Sequence, residues 1–204
     1  MAVLTANQER KNMNSMNDQE VLQVFQETKA LLKGHFVLRS GLHSRQYFQC
    51  AMALQQMPIV EKLGVALADK VRALGAVTVI SPAMGGLVLG QEVARQLRLR
   101  FIFVEKEDNR LALRRGFKIA AQEKILVIED VVTKGGRVQE TIDIVRQNGG
   151  NVAGVGILVD RSDGSVDLGL PLLSLLKMHI ETFSPGVGTC PECDKLVPFS
   201  KPGS

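Results

Sequence analysis

Residues 125–136 read ILVIEDVVTKGG. Four apolar residues run straight into Glu129 and Asp130, and Val131, Val132, Thr133 and Lys134 then lead to Gly135 and Gly136. A short apolar run closed by a glycine turn reads as a buried strand. Such strands seldom end in two acids, because each carboxylate costs several kcal/mol to desolvate unless it is hydrogen-bonded. At a strand end the two can stay hydrated and project from opposite faces, where the vicinal hydroxyls of a sugar are natural donors to them. The turn leads into a helix expected to begin near Arg137. Its glycines let backbone N–H groups curl around an anion, the helix N-terminus adds partial positive charge, and Thr133 offers a hydroxyl. Acids for hydroxyls beside a cradle for phosphate describe a ribose-5-phosphate site. The same residues could instead cap and close a turn. Neither a GxxxxGK loop nor a GxGxxG after a strand is present.

The rest of the chain bounds this reading. At 204 residues and 45% hydrophobic composition it suits one α/β domain. Lysine and arginine number 25 against 21 acids, a net charge of +4 without a run of like charges. That balance favours anionic small molecules over a nucleic-acid partner. No stretch approaches the roughly 18 apolar residues of a membrane span, and the start lacks the apolar region of a secretory signal. A cytoplasmic protein without membrane or nucleic-acid partners is expected. Residues 1–16 read as a disordered lead, and 17–204 as a single domain.

Cys50, Cys190 and Cys193 are too few for a disulfide framework. The pair in CPEC, residues 190–193, could be redox-active or half of a zinc site; two thiolates are not four ligands, and a reduced turn or incidental half-site is the expectation.

Helical spacing marks residues 17–32, a second helix through Ile59, Leu63, Leu67 and Val71 ending near Gly75, and a third through Leu89, Val93 and Leu97. Gly86, Gly90 and Ala94 would line one side of that third helix and let it approach a sheet closely. A further helix carries Val138, Ile142 and Val145 and closes at Gly149 and Gly150. Strands are expected at 76–80, 100–104, 125–129 and 151–159. Strands alternating with helices imply a parallel sheet covered on both faces. Ligands of such folds sit beyond the carboxyl ends of the strands, here at residues 81–86, 129–136 and 160–161.

ILVIEDVVTKGG resembles the phosphoribosyl-pyrophosphate (PRPP) motif of the type I phosphoribosyltransferases: a hydrophobic strand, two acids, two hydrophobics, Thr, any residue, Gly, Gly. Lys134 and Arg137 depart from it, standing where small or hydroxylic residues are usual. FVLRSGLHSRQYFQC, residues 36–50, resembles the N-terminal signature of the orotate phosphoribosyltransferases. The aromatic pair Tyr47 and Phe48 could stack on a flat pyrimidine, or could be half of an alternating core strand. LVDRSDG, residues 158–164, resembles that family's Asp-Arg after the last core strand. Arg161 could receive orotate's carboxylate through a two-pronged contact, or could pair with Asp160 or Asp163 at the surface. The segments 81–97 and 190–204 resemble one bacterial branch of the family.

The resemblance implies a type I phosphoribosyltransferase fold, with a central parallel sheet flanked by helices and a small hood built from residues 17–55 and the C-terminal segment. It implies transfer of the phosphoribosyl group from PRPP to orotate, giving orotidine 5′-monophosphate and pyrophosphate, by a homodimer with Mg²⁺ held mainly by substrate and water. PRPP would be bound by Arg39, Lys106, Glu129, Asp130, Val131, Val132, Thr133, Lys134, Gly135, Gly136 and Arg137. Orotate would meet Tyr47, Phe48, Thr133 and Arg161, and pyrophosphate would meet the backbone of Ala83, Met84, Gly85 and Gly86. Lys106, Glu129 and Asp130 are the expected catalytic set. A purine phosphoribosyltransferase on the same fold and a PRPP-sensing nucleic-acid-binding regulator are the rivals.

The loop over the pyrophosphate departs furthest from that family's pattern. It reads VEKEDNRLALRRG, residues 104–116, with Glu105 in the place of a basic residue, Lys106 matching the second, and no histidine after it. Alternation through LALRR predicts a short β-hairpin with Arg114 and Arg115 on opposite faces, so that one of them could reach the site. Both could instead be solvated hairpin charges.

Overall fold

The computed structural model describes residues 16–38 and 40–201. Two sheets organise it. The larger has the order β5-β4-β3-β6-β7-β8, built from β3 (Thr78–Pro82), β4 (Arg100–Glu107), β5 (Arg110–Leu113), β6 (Lys124–Val132), β7 (Asn151–Asp160) and β8 (Leu172–Lys177). Its strands run parallel except for β5, which returns antiparallel to β4. The smaller is an antiparallel ribbon of β1 (Leu31–Val37), β2 (His43–Phe48) and β9 (Thr182–Phe183).

Alternation along the central strands sends residues to two separate cores. Leu126 and Ile128 of β6 join Val79 and Leu158 beneath α3 (Met57–Val71), which follows the single turn α2 (Ala51–Leu54), and α4 (Gly85–Leu97). Ile125 and Val127 join Ile80, Ile102 and Ile157 beneath α5 (Gly136–Gln147). The parallel sheet is thus buried on both faces, as near-continuous apolar strands require. Gly90 allows α4 to close on the sheet, because a Cβ there would overlap the Ser81 hydroxyl.

The helix expected over 17–32 is α1, Asp18–Glu27, and it stops early. Asn17 accepts from the Glu20 N–H while Glu20 accepts from the Asn17 N–H, a reciprocal cap that fixes the start. Lys29 then takes a left-handed conformation, φ 56°. Leu31 and Leu32 continue the helical spacing but pair with Phe48 and Tyr47 in the ribbon. Met16, placed in the expected lead, is buried in the core; residues 1–15 lie outside the described ones. β1, β8 and β9 were not anticipated. No described helix is long and apolar enough to cross a membrane.

Candidate functional site

Because β3, β6 and β7 are neighbours in the sheet, their carboxyl ends open onto one edge, and the three predicted segments meet there. The link between the first two is close. A Cβ on Gly85 would sit 2.7 Å from Asp130 Oδ1, and one on Gly86 would sit 2.6 Å from the Ile128 carbonyl oxygen and 3.2 Å from Glu129 Oε1. Only glycine lets this backbone lie against the acidic pair. The Ala83–Met84 peptide is cis, and Arg137 Nη1 donates to the Ala83 carbonyl at 3.0 Å, tying the glycine loop to the start of α5.

Two expectations for the acids give way. β6 does not end at them but continues through Val131 and Val132, paired with Val159 and Asp160 of β7. Glu129 is therefore only 4% exposed rather than hydrated, while Asp130 is half-buried. Nor do their carboxyl groups diverge, since both abut the Gly85-Gly86 dipeptide. Burial, and next the neighbouring charge of Asp130, push the Glu129 carboxyl well above the usual carboxylate range. The Asp130 N–H donates to Glu129 Oε1 at 3.0 Å and the Val131 N–H donates to Asp130 Oδ1 at 2.8 Å.

The predicted cradle follows. Gly135 has φ 73° and caps α5, and a side chain there would meet Val166 at 2.9 Å. Thr133, Lys134 and Gly136 are exposed at the helix N-terminus, so this part of the loop is open to an anion.

Arg161 closes the third side. Its N–H donates to the Val132 carbonyl at 2.8 Å, which fixes its backbone to the end of β6. Its Nε is buried without a hydrogen-bond partner, and burial lowers its pKa against the opposing influence of Tyr47 and Cys50 beside it. The surface ion pair is not formed: Asp160 Oδ1 accepts from the Ser162 N–H and hydroxyl, and Asp163 faces His179 at 3.2 Å. The aromatic pair divides. Phe48 is 5% exposed and packs edge-on against Phe25 with centroids 5.4 Å apart, so it serves the core and offers no stacking face. Tyr47, on the other face of β2, lies 5.9 Å from Phe36 and interacts with Arg161. Arg39 lies outside the described residues.

The expected hairpin exists, turned by Asp108 and Asn109 with positive φ, a two-residue connection that matches strand twist. It ends at Leu113, however, so strand alternation does not govern the two arginines. Arg115, at φ 59°, folds back onto Glu105, and Arg114 lies 3.2 Å from Glu107 and 3.9 Å from Glu105. Lys106 is exposed and has no ion pair among the described residues.

Residues 52–169 match the model of the phosphoribosyl transferase domain. An orotate phosphoribosyltransferase of Desulforamulus reducens is 48% identical over 189 residues, covering 93% of this chain and 98% of that protein. The one of Caldicellulosiruptor bescii is 49% identical with the same coverage. The chain belongs to the orotate phosphoribosyltransferase family. The crystal structure of the orotate phosphoribosyltransferase of Aeropyrum pernix superposes with TM-score 0.62 at 27% identity, over 76% of this chain and 92% of that one. The fold is accordingly that of the type I phosphoribosyltransferases.

For a member of the orotate phosphoribosyltransferase family, two contacts were not legible in the motifs. The Arg137 bond to Ala83 joins positions 54 residues apart, and Cys50, buried beside Arg161, gives no signal beyond its place two residues after Phe48. A groove of about 690 Å³ lined by Lys33, Arg45, His179 and Glu192 lies apart from the acidic pair and contains none of the predicted site residues.

Proposed function

We propose that this chain transfers the phosphoribosyl group of PRPP to orotate, releasing pyrophosphate and forming orotidine 5′-monophosphate for pyrimidine synthesis. The observation that carries the choice of base is Arg161, a half-buried arginine whose Nε is buried and unpartnered, beside Tyr47 at the rim of the sugar site. A buried, unsatisfied donor is costly, and a planar carboxylate on an aromatic base supplies both an acceptor and a face for Tyr47. The names of the relatives support the same base.

In this reading the cradle from Val131 to Arg137 holds the 5-phosphate, and Asp130 with Glu129 holds the ribose hydroxyls. Displacement at the anomeric carbon passes through a cationic, oxocarbenium-like state, and the adjacent carboxylates favour the positive charge there. Binding of hydroxyl donors supplies Glu129 with partners for its ionised form. The backbone of 83–86 and the Lys106 ammonium meet the pyrophosphate as its negative charge grows. The oxygen donors at this edge suit a hard cation held largely by substrate and water, and Mg²⁺ so held would neutralise the leaving group. The functional unit is read as a homodimer, cytoplasmic and without nucleic-acid or membrane partners.

The test is consumption of base by the purified protein with PRPP and Mg²⁺, offering orotate, adenine or hypoxanthine. Turnover of orotate alone is expected; preference for a purine would overturn the reading.

A further inference from the structure

The tail pair Cys190 and Cys193 is completed by two histidines from the opposite end of the chain. His35 on β1 and His43 on β2 are diagonal neighbours across the ribbon, since the antiparallel register pairs Val37, two residues after His35, with His43. The C-terminal segment closes over them. Cys190 caps the short helix α6 (Pro191–Asp194), the Val37 N–H donates to the Ser200 carbonyl, and the Ser200 N–H donates to the His35 carbonyl.

One potential ligand atom from each of His35, His43, Cys190 and Cys193 lies within 4.8 Å of every other. His35 Nε2 is 2.7 Å from His43 Nδ1, 3.6 Å from Cys190 Sγ and 3.8 Å from Cys193 Sγ, and Cys193 Sγ is 3.3 Å from His43 Nδ1. Tetrahedral zinc with bonds of about 2.3 Å to sulfur and 2.0–2.1 Å to nitrogen separates its ligand atoms by about 3.3–3.8 Å. The sulfur–nitrogen separations already have that spacing; the two nitrogens, 2.7 Å apart, would need to part by about 0.6 Å.

The proton placement favours a cation as well. His35 Nδ1 lies 2.7 Å from the Val197 carbonyl, which can only accept, so Nδ1 carries the proton and neutral His35 presents a bare Nε2 lone pair to the cluster. This backbone partner on the far nitrogen is how metal-bound histidines are usually oriented. His35, His43 and Cys190 are 4%, 6% and 1% exposed, and the Phe199 ring stands 6.0 Å from each imidazole. Four protein ligands in a closed site leave no position for substrate, the mark of a structural centre.

We propose that His35, His43, Cys190 and Cys193 bind one zinc ion that latches the C-terminal tail onto the hood. The pair CPEC is then a half-site whose partners stand about 150 residues earlier. Because β2 also carries Tyr47, the latch holds the strand that presents the aromatic face. That consequence rests on the reading of Tyr47 given above, whereas the metal content does not.

The experiment is elemental analysis of the full chain purified without chelator from zinc-supplemented cultures. About one zinc per chain is expected, with Cys193→Ser and His43→Ala reduced to background and Cys50→Ala, away from the cluster, retaining it. Wild-type protein provides a second readout that does not depend on a variant folding. Cobalt(II) exchanged into it should show the intense visible bands of a tetrahedral site and thiolate charge transfer in the near ultraviolet. Stripping the metal should lower the melting temperature by roughly 5–10 °C and expose two more cysteines to a thiol reagent. Wild-type protein holding under about a tenth of an equivalent of zinc without cobalt bands, a metal other than zinc at these residues, or a Cys190–Cys193 disulfide would each overturn the proposal. Full zinc with normal orotate kinetics after removal of the metal would leave the site standing and overturn only its link to Tyr47.

Discussion

Arg115 grips Glu105 through two hydrogen bonds, Nε to Oε1 at 2.7 Å and Nη2 to Oε2 at 2.9 Å. The contact holds Glu105 below the usual carboxylate range and keeps it ionised. A carboxylate therefore stands next to Lys106 where the family pattern has a basic residue, and Arg115 neutralises it. Arg115→Ala should release that charge toward the pyrophosphate and raise the KM for PRPP by about 3–10-fold, while Arg114→Ala changes little. The double variant Glu105→Gln/Arg115→Ala should recover most of the loss, a coupling that initial-rate kinetics on all three proteins would reveal. Equal losses in the single and double variants would mean that Arg115 itself reaches substrate.

Lys106 is exposed on the hairpin and, unlike Arg114 and Arg115, has no ion pair among the described residues. Lys106→Ala should lower the turnover number at saturating substrates by about 100-fold, since its charge matters most as pyrophosphate leaves. Full activity would remove the hairpin from the mechanism. Mixing inactive Lys106→Ala and Asp130→Asn subunits tests the dimer: recovered activity means that the hairpin serves the partner's site.

Asp130 is half-buried at the edge and its side chain supports no core packing. Asp130→Asn should cut turnover by about 100-fold or more with a melting temperature within about 3 °C of wild type. Near-normal turnover would end the assignment of the acidic pair to the ribose.

Arg161→Ala should raise the KM for orotate by about 10–100-fold, the range expected from hydrogen bonds to a charged group, and that for PRPP far less. Parallel increases for both substrates would mark Arg161 as structural.

Glu129 makes stability depend on pH in a definite direction. Its folded pKa lies above its ordinary value of 4.5, so above that pH the folded chain binds more protons than the unfolded one, and stability falls as pH rises. Glu129→Gln removes the titration. Its melting temperature, measured without substrates, should be higher than that of wild type at neutral pH and should decline less between about pH 5 and pH 8. An equal decline in variant and wild type would show that Glu129 is ionised in the fold.

Local sequence determined much of this protein. The apolar runs at 76–80, 100–104, 125–129 and 151–159 sufficed for a doubly covered parallel sheet, because burial on both faces leaves no polar alternation to confuse the period. The order of acids, Thr133 and glycines pointed to a phosphorylated sugar, because a cradle is made by consecutive backbone groups. What depends on residues far apart was decided by tertiary structure alone. Helical spacing carried past Glu27 to Leu32, but pairing with Tyr47 and Phe48 turned Leu31 and Leu32 into a strand. Which of those two aromatics is left outside the core depends on the side of β2 that Phe25 covers. The burial of Glu129 follows from pairing of β6 with β7 beyond the acids. The four-ligand cluster exists only because the tail crosses the hood, bringing Cys190 and Cys193 to two histidines that no local spacing connects to them.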